Sequence, residues 1–345
     1  MKSEGQIVRV EISYKTILFS VALLIGIWFL VTVKEVIIFL FLSIILLSAL
    51  HRPVQWLNSK RIPKVISAIL IYILLVAIIA LTIGTIIPPL VSQTSDFLNR
   101  LPQIISTLNN FTVIYKIPAQ DISQIISNQV QQFAGNFLII TKTIVSSLFL
   151  LITIFVFTFY LLLEWKKFIK LISSPFSGKQ EKMVVAIVSQ VENGLGYWLR
   201  GQLALSAGVG LLLFIGLAII GVPFALPLAI IAAIFEIIPI VGPIVSAIPA
   251  ILVALAVSPI LALATVALYF VIQQIEGHII VPMIMSKAVG IQPPIIILSL
   301  LIGAKLDGIT GAFLAVPLIV VIKIIFKELI NNTHNFEGEK LEEEI

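Results

Sequence analysis

The chain has 345 residues, of which 59% are hydrophobic and 11% charged, with a formal net charge of +5. Soluble domains carry about 25% charged residues, so this composition excludes a water-covered surface, and with it soluble enzymes and free nucleic-acid binders. Without cysteine there is no thiolate catalysis, disulfide or cysteine metal site, and Lys and Arg clustered between apolar runs mark membrane topology rather than a polyanion partner.

An apolar run at 16–33 is followed, after Lys34 and Glu35, by a second at 36–50. No signal-peptidase pattern separates them, which predicts a retained helix pair. Residues 51–64 hold Arg52, Lys60, Arg61 and Lys64 and no acidic residue. The positive-inside rule places this loop, and therefore the N-terminus, in the cytoplasm. A third span, 65–91, ends at Pro88 and Pro89, where a helix must stop or kink. Residues 1–91 are thus read as three transmembrane helices.

Residues 92–136 have only Arg100 and Lys116 as basic residues and are rich in Gln, Asn, Ser and Thr. Helical spacing of Phe97, Leu101, Ile104 and Leu108 predicts an extracytoplasmic amphipathic helical insert. Span four, 137–163, returns to the cytoplasm, where Lys166, Lys167, Lys170, Lys179 and Lys182 follow. Val184, Ile187, Val188, Val191, Leu195 and Trp198 form one stripe, which predicts a cytoplasmic interfacial helix completing the unit 137–200. A linker helix packed on the protein is the alternative. Span five covers 203–220.

The remaining half, 201–330, contains two interrupted apolar segments. The first, 228–257, is broken by Pro239, Gly242 and Pro243, which remove backbone donors and permit non-helical dihedrals. The second, 294–325, is broken around Gly303, Lys305, Asp307, Gly308 and Gly311. Each half-segment of the first is shorter than the roughly 30 Å hydrocarbon core, so both segments are expected to be re-entrant hairpins. An ordinary span, 260–275, separates them, and Lys323 and Lys327 then fall in the cytoplasm with the C-terminus. Residues 331–345 read as a disordered acidic tail. The expected fold is all-α: a polytopic transmembrane helical protein, integral to a bacterial-type cytoplasmic membrane. Small-residue helix faces are compatible with a homo-oligomer.

Hairpins entering from opposite faces would bring irregular tips together near the midplane, where such backbone is tolerated only around a cavity or inside protein. Paired broken segments are also the best sequence pointer to a transporter's substrate site. Between Arg200 and Glu276 the only charged residue is Glu236. A carboxyl there is a candidate proton or cation site or a solute contact, the plainer reading being a neutral acid that satisfies free carbonyls. Gln273, Gln274, Glu276 and His278 cluster after the following span, with Pro282 beyond them; the plainer reading is a polar collar at the membrane boundary. Lys305 and Asp307 are candidates for an ion pair bracketing the second turn or for a solute contact. His51 and His334 adjoin charged loops and read as surface residues. No Gly-x-Ser-x-Gly, His-Glu-x-x-His, paired intramembrane aspartates or Walker A loop occurs, so no catalytic residue, metal ligand or cofactor is assigned.

The stretches 236–249, 273–282 and 303–317 resemble the AI-2E transporter family, and the likeness extends over about residues 14–330. Glu236, Pro239, Gly242 and Pro243 match the region of the family's Pro-x-x-Gly-Pro motif, and Gln273, Glu276 and Pro282 match a second region. His278 and Asp307 stand at positions that vary among relatives. The resemblance implies a multispan secondary carrier or facilitator without an ATPase. Some members are associated with export of autoinducer-2, others with sodium or lithium/proton antiport. The expected partners are the lipid bilayer and a small polar solute, or a monovalent cation or proton. A membrane scaffold that binds through the 92–136 insert is the rival from another class.

Overall fold

In the computed structural model of the chain the described residues are 14–81, 84, 150–285 and 290–343, and all regular structure among them is helical. The predicted insert at 92–136, the prolines at 88 and 89, and the first part of span four lie outside these residues. Five described helices are long and apolar enough to cross a membrane.

The first two helices, α1 (Tyr14–Thr32) and α2 (Lys34–Ser59), are separated by Val33 alone. A turn at Lys60 and Arg61, with Arg61 at a φ of 67°, leads to α3 (Lys64–Leu81). The helix at 150–173, α4, closes this group. Leu47 and Val54 of α2, Ala68 of α3, and Leu161, Leu162 and Trp165 of α4 bury one another in a common core. Tyr72 on α3 stands edge-on to Phe155 and Phe159 of α4 and donates from its hydroxyl to the Phe155 carbonyl at 3.2 Å.

A single helix of 41 residues, α5 (Lys179–Ile219), is the spine of the molecule. At 1.5 Å per residue it is about 62 Å long. The sequence predicted an interfacial helix over 184–198 and a separate span over 203–220; the structure joins them. Nothing at 199–202 breaks a helix, since one glycine among good helix formers costs only about 1 kcal/mol. Of the two readings of the stripe, packing on the protein is the one seen at its end: Leu195 and Trp198 are buried with Ile45 of α2 and with Leu300 and Leu314 of the last helical stretch. The other half of α5 buries Leu205, Val209, Leu213 and Leu217 in a second core.

That second core is completed by a helical hairpin and the helix after it. The hairpin consists of α6 (Ala225–Phe235) and α7 (Val241–Val257), and α8 (Pro259–Ile275) runs back along α7. Ser258 starts α8 by accepting the Leu261 N–H on its side chain at 3.1 Å, with Pro259 at the first helical position, where a missing N–H is harmless. The backbone then widens into a π-turn, Glu276–Ile280, and a short α9, Val281–Met285.

The last helical stretch, α10 (Pro293–Glu343), is broken at Asp307 and Gly308, where Gly308 has a φ of 58°. Gly303 and Gly311 lie carbonyl-to-Cα against each other across this break, and Lys323 donates to the Gly290 carbonyl at 2.6 Å. Residues eight apart in a continuous helix would be about 12 Å apart, so the two legs form an antiparallel hairpin. The break is shorter than the sequence suggested: Gly303 and Lys305 are helical, and only Asp307 and Gly308 leave the helix. The helix also continues to Glu343, where a disordered tail had been expected. Its end, Glu-Lys-Leu-Glu-Glu over 339–343, consists of good helix formers.

Candidate functional site

The turn of the first hairpin is built from residues with little choice of conformation. Helix α6 ends as the Glu236 N–H bonds the Ala232 carbonyl at 2.8 Å, and the chain reverses through Pro239 and Ile240, the latter at a φ of 70°. Pro243 falls in the first turn of α7, where a helix has no partner for its N–H groups anyway. A Cβ on Gly242 would collide with the Phe235 carbonyl oxygen and lie 3.0 Å from the Glu236 nitrogen, so no side chain fits there. These four positions fix where Glu236 sits.

Glu236 is fully buried. Its backbone carbonyl, left free because α6 stops, accepts from Gln202 Nε2 of α5 at 2.6 Å. Its two carboxyl oxygens are buried without a hydrogen-bond partner. Beside them lies Glu276, also buried, the first residue of the π-turn. The two carboxyls are close enough to interact directly. Gln273 Nε2 holds the far side of Glu276 at 2.9 Å from Oε2. Ser206, one turn above Gln202 on the same face of α5, adds a buried hydroxyl that is likewise without a partner. A π-turn is a frequent sign of a functional site, because it re-aims one side chain at the cost of regular pairing.

The arrangement therefore brings Glu236 together with Gln273 and Glu276 from two separate sequence stretches, and Gln202 of α5 joins them from a third. Neighbouring buried carboxyls are suited to taking up one positive charge between them, a proton or a small cation, and the amides offer neutral hydrogen bonds. Among the described residues no group of three His, Asp or Glu side chains could hold a metal ion.

Other sequence candidates lie elsewhere. Gln274 and His278 share the opposite, exposed side of this region, where His278 Nδ1 meets the Gln274 carbonyl at 3.0 Å, and Pro282 is exposed on α9. The reason is spacing: Gln273 and Glu276 are one helical turn apart and face inward together, as Gln274 and His278 are and face outward. Lys305 is exposed and does not bracket the turn with Asp307; Asp307 pairs instead with Lys34 at 3.1 Å, at the junction of α1 and α2. Ile238 of the first turn packs among Leu300, Leu314, Ala315 and Val316, on the legs of the second hairpin.

His51 also departs from its expected surface position. It is bonded through Nδ1 to Glu192 of α5, and both side chains are 11% exposed. Neither Gln202 nor Glu192 stood out in the sequence. For Gln202 the signal available was a polar residue between apolar neighbours on one face of a long helix, which is expensive unless a partner meets it, whereas Glu192 reads as lying off the apolar stripe and gave no such signal.

The family model described as AI-2E family transporter matches residues 17–331. Two Bacillus subtilis proteins, YueF and YrrI, both provisionally named as transport proteins, are similar to the chain. YueF is 27% identical and aligns over 85% of the chain and 84% of its own length. YrrI is 28% identical, over 86% and 87%. The Escherichia coli protein named AI-2 transport protein TqsA is 27% identical over 84% of the chain and 83% of its own length. With buried carboxyls set where apolar helices break, and a match covering almost all of it, the chain belongs to the AI-2E family of membrane transporters.

Proposed function

We propose that the chain is a secondary carrier or facilitator, not an enzyme, that moves a small polar solute across the cytoplasmic membrane by alternating access. Its termini then lie in the cytoplasm, as the cationic stretch 52–64 asks, and its two hairpins re-enter the bilayer from opposite faces. The observation that supports this most is the unpartnered carboxyl of Glu236 beside Glu276: a buried polar group left unbonded is costly unless a transported species completes it. TqsA makes autoinducer-2 the first solute to try, and the Gln202, Gln273 and carboxyl set suits the hydroxyls of such a compact polyol-like molecule.

The same carboxyl pair supports a second reading, sodium or lithium/proton antiport, since two acids and a few amides suffice to exchange a cation for a proton. Flux into proteoliposomes separates the two. Autoinducer-2 uptake without collapse of an imposed proton gradient by sodium or lithium supports the solute carrier; collapse by either ion supports the antiporter. Glu236→Gln is expected to lower flux by about a hundredfold, or about 2.7 kcal/mol on the barrier, with expression unchanged. Flux equal to wild type would remove Glu236 from the mechanism.

A further inference from the structure

A second buried titratable cluster lies outside this site, where α2, α4 and α5 meet. Glu192 of α5 is 9% exposed and receives two donors: Trp165 Nε1 of α4 at Oε2 and His51 Nδ1 of α2 at Oε1. The indole N–H can only donate, so Oε2 accepts from it, and with Glu192 ionised Oε1 accepts as well and Nδ1 of His51 carries the hydrogen. The other ring nitrogen, Nε2, lies 3.1 Å from Gln55 Nε2. A carboxamide presents either a donor or an acceptor by rotating about its last bond, so Gln55 can serve a neutral or a protonated His51 without moving the backbone. The network therefore fits an imidazole with one ring hydrogen or with two.

The surrounding charges leave the pair to itself. Arg52 on α2 turns to Asn193 and to the face of Tyr197, and Arg200 on α5 donates to the Ser48 and Ala49 carbonyls. Lys64 of α3 donates to the Leu163 carbonyl of α4, with Lys166 and Glu164 beside it, and Glu164 is bonded to Lys167. On the α10 side Glu328 is bonded to Gln190. Among the described residues no second carboxylate bonds His51, and two ligands are too few for a metal ion.

We infer that His51 and Glu192 form a proton-binding site distinct from the Glu236–Glu276 pair, whose occupancy sets the rate of transport. Glu192 and Gln202 lie on the same uninterrupted helix, ten residues and about 15 Å apart. A change of charge at the three-helix junction thus acts on the element that holds the Glu236 carbonyl. Histidine is the side chain suited to sense pH between about 5 and 8. Proton binding itself does not depend on the transport reading; its effect on flux does.

The test uses the full chain in lipid nanodiscs and its intrinsic tryptophan fluorescence between about pH 5 and 8.5. The expected result is a single-proton step that is absent in Trp165→Phe, lost in His51→Gln, lost or displaced in Glu192→Gln, and kept in His278→Gln. No step in wild type, or a step that survives His51→Gln in protein that still elutes as wild type, overturns the proposal. Should His51→Gln fail to fold, Glu192→Gln gives the same decision, because its amide still accepts from Trp165. In proteoliposomes, the pH profile of autoinducer-2, sodium and lithium flux is expected to flatten in His51→Gln. An unchanged profile overturns the link to transport, whereas flux indifferent to Glu236→Gln sinks the proposed pathway and leaves the proton site standing.

Discussion

The two hairpins share one sequence design, an apolar segment broken by glycine or proline, yet they end in opposite environments. The turn after α6 exposes Ile240 and Val241 but buries its acid: Glu236 is fully enclosed, its carbonyl is capped by Gln202, and its carboxyl lies beside Glu276. The turn at Asp307 and Gly308 is open, and its carboxylate forms a half-exposed ion pair with Lys34. Breaking a helix only frees backbone groups; what surrounds the break decides its use. In the first hairpin the turn is placed in a polar core and can hold a ligand. In the second, the close contact is one level down, at the Gly303 and Gly311 crossing, and the turn is a tether.

The largest expected effects break this contrast if they fail to appear. Glu236→Gln should reduce flux about a hundredfold while Asp307→Asn changes it less than about threefold, differences of about 2.7 and under 0.7 kcal/mol. Equal losses would mean both turns belong to the pathway. Stability should follow the same order. In Gly242→Ala the new methyl meets backbone of Phe235 and Glu236, which cannot rotate away, so the cost should reach or exceed about 3 kcal/mol. Gly308 has open space around it and only its positive φ to protect, so Gly308→Ala should cost about 1–3 kcal/mol. Melting of the two variants in one detergent checks the order.

A smaller effect sharpens the role of α5. Gln202→Leu removes the donor to the Glu236 carbonyl, leaving a buried acceptor unsatisfied at about 1–3 kcal/mol. It should also raise the concentration of solute needed for half-maximal flux, because the carboxyl then loses its anchored backbone. A drop in melting temperature with unchanged solute dependence would confine Gln202 to a packing role.

These contrasts mark what could be read in the chain before its structure. Helix breaks at Pro239, Gly242 and Gly308 are local events, dictated by missing donors and special dihedrals, and so legible in short stretches. Glu236 was legible too, because a lone charge in an apolar segment needs a reason. Partners were not. Gln202 meets Glu236 only because α5 runs unbroken past the interface where two helices had been expected, and His51 meets Glu192 across 141 positions. Asp307 finds Lys34 across 273 positions rather than Lys305 two residues away. Periodicity assigned faces within each helix; it carried no information about which faces meet.

That last pair gives the smallest effect and the finest test of the comparison. Lys34 is 53% exposed and Asp307 32%, so the ion pair is of the kind worth about 0–1 kcal/mol. Lys34→Ala should therefore leave melting within about 2–4 °C of wild type. If the second hairpin swings during transport, this tether must release in each cycle, and weakening it should speed or leave unchanged the turnover rather than abolish it. Raising ionic strength should mimic the substitution in wild type and do nothing further in Lys34→Ala, because an exposed pair is screened by salt. A collapse of flux in Lys34→Ala would show that the open turn is as indispensable as the buried one, and the distinction between the two hairpins would fall.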